Sequence, residues 1–226
     1  MDAIKNSGPA LGILCADGIV IATEKQTTSI LLEKTIQSEK IYQVDSHIYC
    51  VASGLTADSN YLIDYSREVG QDFRKTYRNP MQVEQLVMRV SDLKQSYTQY
   101  GGMRPFGTSF IFAGYDSRNG FGLLTTDPAG NYLKWKAIAH GSGEANANSY
   151  LQKEYQDGLT VERGIELALE TICKTLDSAS PPPEKLEVVV FTKAAQSDTL
   201  VMKELSIEDL KVELKKKEER DKKKST

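Results

Sequence analysis

The stretch NSGPALGILCADGIVIATEK, residues 6–25, alternates apolar residues with small or polar ones on both sides of an Asp17–Gly18 pair. An Asp-Gly pair between two alternating runs is a strong signal for a β-hairpin, since both residues tolerate the backbone angles of a tight turn. The stretch therefore predicts two antiparallel strands, residues 10–15 and 19–23, almost at the start of the chain.

A second pair of strands is predicted in KIYQVD (40–45) and HIYCVAS (47–53). Apolar residues then recur every three or four positions, which predicts helices over residues 56–77 and 80–100. Thr56, Asp58 and Ser59 are cap candidates for the first of these helices, and Pro80 suits the first turn of the second. Further strands are predicted at 106–116, 120–127, 132–141, 185–193 and 199–205, and further helices at 144–155, 161–177 and from Ser206.

The predicted order is strands, two helices, strands, two helices, strands and a last helix. Such segregated runs differ from the strand–helix alternation of a parallel sheet. They predict an α+β fold in which two antiparallel sheets pack together with a pair of helices on each outer side. We expect residues 1–206 to form this domain. Residues 207–226 are expected to form a charged helix or tail that is partly disordered, because its apolar positions stop after two turns.

The composition argues against several classes of function. Net charge is −3, and residues 211–226 contribute +4, so the rest of the chain is acidic and unsuited to a nucleic-acid groove. No apolar run is long enough to span a membrane, and the first residues lack the pattern of a secretory signal. Three scattered cysteines and two histidines without metal-ligand spacing predict neither disulfides nor a zinc site, and we expect no cofactor.

Five motifs give a more specific indication. They are SEKIYQVD (38–45), SGLTAD (53–58), YTQYGGMRPFGTSFIFAGYD (97–116), TDPAGNYLKWKAIAHGSG (126–143) and LQKEYQDGLT (151–160). Together they resemble the alpha-type subunits of the proteasome core particle over nearly the whole chain, and the lysine-rich C-terminal helix is most similar to that of the type 4 subunits of eukaryotes. The resemblance implies the four-layer αββα sandwich of the N-terminal-nucleophile hydrolases.

The resemblance also implies a function. Alpha-type subunits are non-catalytic: seven related subunits form the outer ring, contribute to the pore by which substrates enter, template the catalytic ring and dock activators in ubiquitin-dependent and ubiquitin-independent protein degradation. The implied partners are other alpha subunits, beta subunits and the C-terminal tails of activators or regulatory particles, with no nucleic acid and no membrane. The implied location is the cytoplasm and the nucleus.

The chain begins at MDAIKNSG, which resembles only the end of the family's first helix, so we expect the segment that closes the axial pore to be absent.

In the beta-type relatives a chain-terminal Thr attacks the peptide carbonyl, and its own α-amine acts as base. Aligned on ALGILCADG, that Thr falls on Gly8, which has no side chain to attack with. Glu24 and Lys40 match the acidic residue and the lysine of the catalytic set, but without a nucleophile they have nothing to orient. The alternative function is a self-contained N-terminal-nucleophile peptidase in which processing exposes Ser7, although a one-residue shift turns that side chain to the opposite face of a strand. His140 is a weaker catalytic candidate.

Two sets of binding residues follow from the resemblance. Lys40 and Gly54 match positions that line a pocket between adjacent alpha subunits, where the lysine meets the C-terminal carboxylate of an activator tail and the glycine lets the peptide backbone approach. The loop GGMRPFG has two open interpretations: a turn that ends a helix, or a ring interface with Arg104 as a charged anchor. The interface residues would be Gly101, Gly102, Arg104, Pro105, Phe106 and Gly107.

Overall fold

The hairpin at the start of the chain forms as predicted. In the computed structural model, which describes residues 2–25, 40–176, 181–195 and 199–224, strands β1 (Ala10–Leu14) and β2 (Ile19–Glu24) pair antiparallel around the Asp17–Gly18 turn. The turn is closed by a hydrogen bond from the Cys15 amide to the Gly18 carbonyl.

The remaining elements follow in the predicted order with one difference: the strand predicted at 132–141 is two strands, because its first half pairs with the second sheet and its second half with the first. The strands are β3 (Ile41–Asp45), β4 (Ile48–Gly54), β5 (Thr108–Asp116), β6 (Gly120–Thr126), β7 (Tyr132–Trp135), β8 (Ala137–His140), β9 (Leu186–Lys193) and β10 (Leu200–Glu204). The helices are α1 (Asp2–Lys5), α2 (Thr56–Tyr77), α3 (Val83–Gln99), α4 (Glu144–Glu154), α5 (Val161–Thr175) and α6 (Ile207–Lys224).

The strands form two antiparallel sheets, with the orders β10-β9-β2-β1-β8 and β3-β4-β5-β6-β7. Side chains alternate between the two faces of a strand, so Ile19 and Ile21 meet Val51 and Ile111 of the other sheet in a central core. Helices α4 and α5 pack on the outer face of the first sheet, and α2 and α3 on that of the second. The expected α+β fold, a four-layer αββα sandwich, is confirmed.

Two helix starts differ from the expectation. Helix α3 begins at Val83, three residues after Pro80, which therefore lies before the helix. The buried His47 accounts for this later start. Its ring Nε2 lies 2.7 Å from the Met81 carbonyl oxygen and holds Met81 outside the helix. Helix α2 has Leu55 at its N-cap, without a side-chain cap. The carboxylate of Asp58 is engaged elsewhere, in the loop described below.

Helix α6 begins after a reciprocal cap. The Ser206 hydroxyl accepts a hydrogen bond from the Asp209 amide, and the Asp209 carboxylate accepts from the Ser206 amide. Leu210 and Leu214 are buried in the core formed with α5 and the first sheet. Beyond them, Arg220 forms an ion pair with Glu166 of α5.

The described residues contain no helix long and apolar enough to cross a membrane. Within the same residues, no group of three or more His, Cys, Asp or Glu side chains is placed to hold a metal ion. All three cysteines are buried, and burial raises the pKa of Cys15 and of Cys50 to about 12.

Candidate functional site

Position 8, which the sequence analysis aligned with a catalytic Thr, is a buried glycine just before β1. The carbonyl before it, of Ser7, accepts a hydrogen bond from the Ser142 amide at 2.8 Å, and the carbonyl after it, of Pro9, accepts from the Glu24 amide at 3.1 Å. A Cβ atom on Gly141 would lie 2.7 Å from the Gly8 carbonyl oxygen. The backbone at position 8 is therefore packed closely against Gly141, and neither a hydroxyl nor a free amine is present at position 8.

Ser7 has a structural role in the chain as it stands. Its hydroxyl donates a hydrogen bond to the Ile4 carbonyl at 2.7 Å and so completes the end of helix α1. The residue is buried, with 9% of its surface exposed. This geometry offers no support for the alternative in which Ser7 is the nucleophile of a self-contained peptidase.

Glu24 and Lys40, the two matches to the catalytic set, belong to different sheets. Glu24 is the last residue of β2 in the first sheet. Lys40 directly precedes β3 in the second sheet, and its carbonyl accepts from the Ala52 amide at 3.1 Å. The first two residues of the SEKIYQVD motif lie outside the described residues.

Lys40 and Gly54, predicted to share a pocket, lie at the same end of the second sheet. Lys40 is opposite Ala52, and Gly54 ends the same strand β4 two residues later. Gly54 has φ +125°, and a Cβ atom there would lie 2.1 Å from the Gly107 carbonyl oxygen. The fold therefore excludes a side chain at position 54 without any bound peptide.

The loop that contains the predicted interface residues is folded against its own subunit. Arg104 donates two hydrogen bonds to the buried carboxylate of Asp58, each 2.7 Å long, and the Gly107 amide donates a third at 2.7 Å. The hydrogen bonds from Arg104 are the main cause that lowers the pKa of Asp58. Arg104 thus anchors the loop to helix α2 within the chain.

The rest of the loop divides into a buried and an exposed part. Phe106 is buried against Tyr97 of α3, with ring centroids 4.5 Å apart, and against Tyr61 of α2 at 5.9 Å. Gly101, Gly102 and Pro105 are exposed, and a Cβ atom on either glycine would meet nothing within 4 Å. The exposed residues are the part of the loop available to a neighbouring molecule.

Residues 4–191 match the model of the proteasome subunit family. The chain belongs to this family. It is 48% identical over 188 residues to proteasome subunit alpha type-4-2 of Oryza sativa subsp. indica, which covers 83% of the chain and 75% of the relative, and the figures for alpha type-4-A of Arabidopsis thaliana are the same. It is 44% identical over 211 residues to proteasome subunit alpha type-3 of Saccharomyces cerevisiae, covering 93% of the chain and 82% of the relative.

The expected resemblance to alpha-type proteasome subunits is thereby confirmed. The chain is a non-catalytic alpha-type subunit of the proteasome core, and the buried glycine at position 8 gives a physical reason for the lack of catalysis. Membership of the family also implies assembly with other proteasome subunits.

One buried cation of this proteasome subunit was missed in the sequence. Lys94 of helix α3 has no exposed surface, and its ammonium donates to the Thr108 carbonyl at 3.0 Å and to the Thr126 carbonyl at 3.2 Å. Burial lowers its pKa to about 7. Its burial could have been predicted from its spacing: Lys94 follows Val90 by four positions and Val87 by seven, so it lies on the apolar face of its helix.

His140, the weaker catalytic candidate, ends strand β8, and its ring Nε2 has no hydrogen-bond partner among the described residues. It lines a cavity of about 230 Å³ with Ile4, Trp135 and Glu144, and its Nδ1 lies 3.8 Å from a Glu144 oxygen. Burial lowers its pKa. The cavity walls are mainly apolar, and the Trp135 indole N–H is already bonded to Thr125.

Proposed function

We propose that this subunit occupies one position of the outer ring of the core particle, between two other alpha-type subunits. It contributes there to the pore by which substrates enter, and it templates the catalytic ring. The observation that carries the proposal is the buried, side-chain-free position 8 in an intact αββα sandwich of this family. The fold has been kept while the attacking group is missing, as suits a subunit whose role is assembly.

We propose further that the subunit works in the cytoplasm and the nucleus and that its Lys40–Gly54 end docks the C-terminal tails of activators. Lys40 is half-buried beside β4, where water screens an ammonium–carboxylate contact less than at an open surface. Gly54 lies two residues beyond the Lys40 partner on that strand. The exposed residues Gly101, Gly102 and Pro105 offer a surface for the neighbouring alpha subunit.

Incorporation into particles tests the ring position. An epitope-tagged full chain is expressed in Saccharomyces cerevisiae depleted of its alpha type-3 subunit, which is 44% identical. We expect the tagged chain to co-purify with intact core particles, with native mass spectrometry showing one copy in each outer ring. A chain found only outside particles would refute the proposal.

A peptidase assay on the purified chain tests the absence of catalysis. We expect no cleavage of fluorogenic peptides, since position 8 has no nucleophile. The control is the assembled particle, which should cleave the same peptides. Cleavage by the purified chain that is blocked by a reagent for N-terminal Ser or Thr would instead support the self-contained peptidase.

A further inference from the structure

The buried ammonium of Lys94 joins the ends of two strands. Thr108 is the first residue of β5 and Thr126 the last residue of β6, and the backbone carbonyls of both accept from Lys94 Nζ. The ammonium also lies 5.0 Å from the centre of the Phe110 ring. A buried ammonium with two carbonyl acceptors and an aromatic face ties helix α3 to the point where β5 begins.

Thr108, which accepts a hydrogen bond from Lys94, also contacts the end of β4. Its hydroxyl oxygen lies 2.8 Å from the Ser59 hydroxyl of α2 and 3.2 Å from the Ser53 carbonyl oxygen. Gly54 pairs with Thr108 across the sheet, and a Cβ atom on Gly54 would lie 2.9 Å from the Thr108 Cα. The position of Thr108 therefore fixes the backbone at Ser53 and Gly54.

Thr108 also directly follows the loop of residues 104–107, whose last residue, Gly107, forms two hydrogen bonds through its backbone. The Gly107 carbonyl accepts from the Leu55 amide at 3.0 Å, and the Gly107 amide donates to Asp58 at 2.7 Å. Asp58 in turn holds Arg104. One connected polar network thus runs from Lys94 through Thr108 to both regions that are proposed to meet other proteins.

The charge of Lys94 is variable near neutral pH. Burial lowers its pKa from 10.5 to about 7, and the Asp127 carboxylate next to β6 opposes that decrease. Two further titratable groups face it: the thiol of Cys50 on β4, whose pKa of about 12 keeps it neutral, and His140 on β8, whose pKa is lowered chiefly by burial. Above pH 7 Lys94 therefore loses its proton, and its hydrogen bonds to the two carbonyls change to neutral ones of about half the strength.

We propose that Lys94 is a positioning residue that holds the Gly54–Leu55 turn and the 104–107 loop in place for tail binding, and that its proton sets how firmly they are held. The coupling between Lys94 and the turn stands on the contacts of the chain alone. Its consequence for activator tails rests on the function proposed above.

An NMR titration of the full chain tests the coupling. The Lys94 side-chain carbon next to the ammonium and the amides of Leu55 and Gly107 are followed from about pH 6 to about pH 9. We expect Lys94 to titrate with a midpoint near 7 and both amide signals to follow with the same midpoint. A Lys94 midpoint above about 9, or Leu55 and Gly107 signals that stay constant while Lys94 titrates, would overturn the proposal. The measurement needs no variant, so a substitution that fails to fold leaves the test intact.

Two variants separate the charge of Lys94 from its bulk. Lys94→Met keeps the length of the side chain without a donor, and Lys94→Gln keeps an N–H donor without a titratable proton. We expect the pH-dependent signal changes of Leu55 and Gly107 to disappear in both. Lys153→Met is the matched control, because that lysine is 80% exposed on α4 and far along the chain from the network. Persistence of the changes in Lys94→Met would show that they come from another group.

Tail binding is then measured on assembled core particles that contain the chain. The probe is a short fluorescent peptide with the C-terminal sequence of a regulatory ATPase subunit, and the same peptide with an amidated C-terminus is its control. We expect affinity to fall about threefold from pH 6.5 to pH 8.5 with the unsubstituted chain and to be low and independent of pH with Lys94→Met. An unchanged pH profile in Lys94→Met would overturn the positioning role. Equal binding of the acid and amide peptides would refute the pocket itself, while the NMR titration would still decide the coupling.

Discussion

At position 54 the protein's own backbone excludes a side chain. Gly54→Ala would place a Cβ atom 2.1 Å from the Gly107 carbonyl oxygen, at φ +125°, so the β4–β5 pair would have to separate. We expect the free energy of unfolding to fall by about 3 kcal/mol or more, measured as the change in the urea midpoint. Gly102→Ala is the matched control, since it has φ +89° with open space around it and is expected to cost about 1 kcal/mol. Equal losses for the two variants would contradict the prediction.

The sequence singled out Gly54 and Arg104 by their motifs, and the structure shows a role for each within the chain. The motif SGLTAD predicts that Gly54 lines a pocket, and within the chain the glycine is required because Gly54 pairs with Thr108 across the sheet. Arg104 is a similar case: its position in GGMRPFG predicts an anchor to a neighbouring subunit, and within the chain its side chain pairs with Asp58. Local patterns identify such residues, but contacts between positions 46 or more residues apart depend on strand register, which one sequence does not give.

Among the elements, local signals located most strands and helices, but they gave neither the pairing of the strands nor the break that divides residues 132–141 between the two sheets. The Asp17–Gly18 turn determined β1 with β2, and the apolar spacing determined the extent of α2. The pairing of β2 with β9 could not be derived, because both are short apolar runs that fit many partners. The start of α3 was misplaced because the contact from His47 to the Met81 carbonyl is not a local feature.

Helix α6 is expected to differ in stability between its two halves. Leu210 and Leu214 are buried in its first half, whereas Arg220, among the side chains described in the later turns, forms an ion pair with Glu166 and is 46% exposed. Such a pair contributes about 0–1 kcal/mol, too little to offset the ordering of several long side chains. Hydrogen exchange of the full chain should therefore be faster, after correction for intrinsic rates, over residues 215–224 than over residues 207–214.

Two variants test the origin of this difference. Leu210→Ala should accelerate exchange throughout α6, because it removes a buried side chain, and Val212→Ala should leave it unchanged, because Val212 is 52% exposed. Equally slow exchange in both halves of the unsubstituted helix would refute the expectation that the charged tail is only partly ordered.

At the scale of the whole molecule, the four layers were predictable because the order of elements permits few arrangements. The surfaces that meet other subunits were not, since exposed residues carry no periodic signal and their partners are absent from the sequence. The loop at 101–107 illustrates the limit. Its glycines and Pro105 are exposed while Phe106 is buried, and this division could be seen only once α2 and α3 were in place.

The pocket proposal gives the last prediction, which concerns the assembled particle. Lys40→Ala should weaken the binding of an activator-tail peptide by about 2 kcal/mol, roughly 30-fold, if the lysine contacts the tail carboxylate in a desolvated site, and by much less if the contact is at the rim. The fold should survive, because the Lys40 backbone still accepts from the Ala52 amide and the side chain lies outside the three hydrophobic cores.

Fluorescence anisotropy with reconstituted particles measures the affinity, and native mass spectrometry confirms that the rings are complete. Lys153→Ala is the control, since that side chain is 80% exposed on α4. If both variants bind the tail as tightly as the unsubstituted chain does, Lys40 does not contact the tail carboxylate and the activator contact must be sought elsewhere.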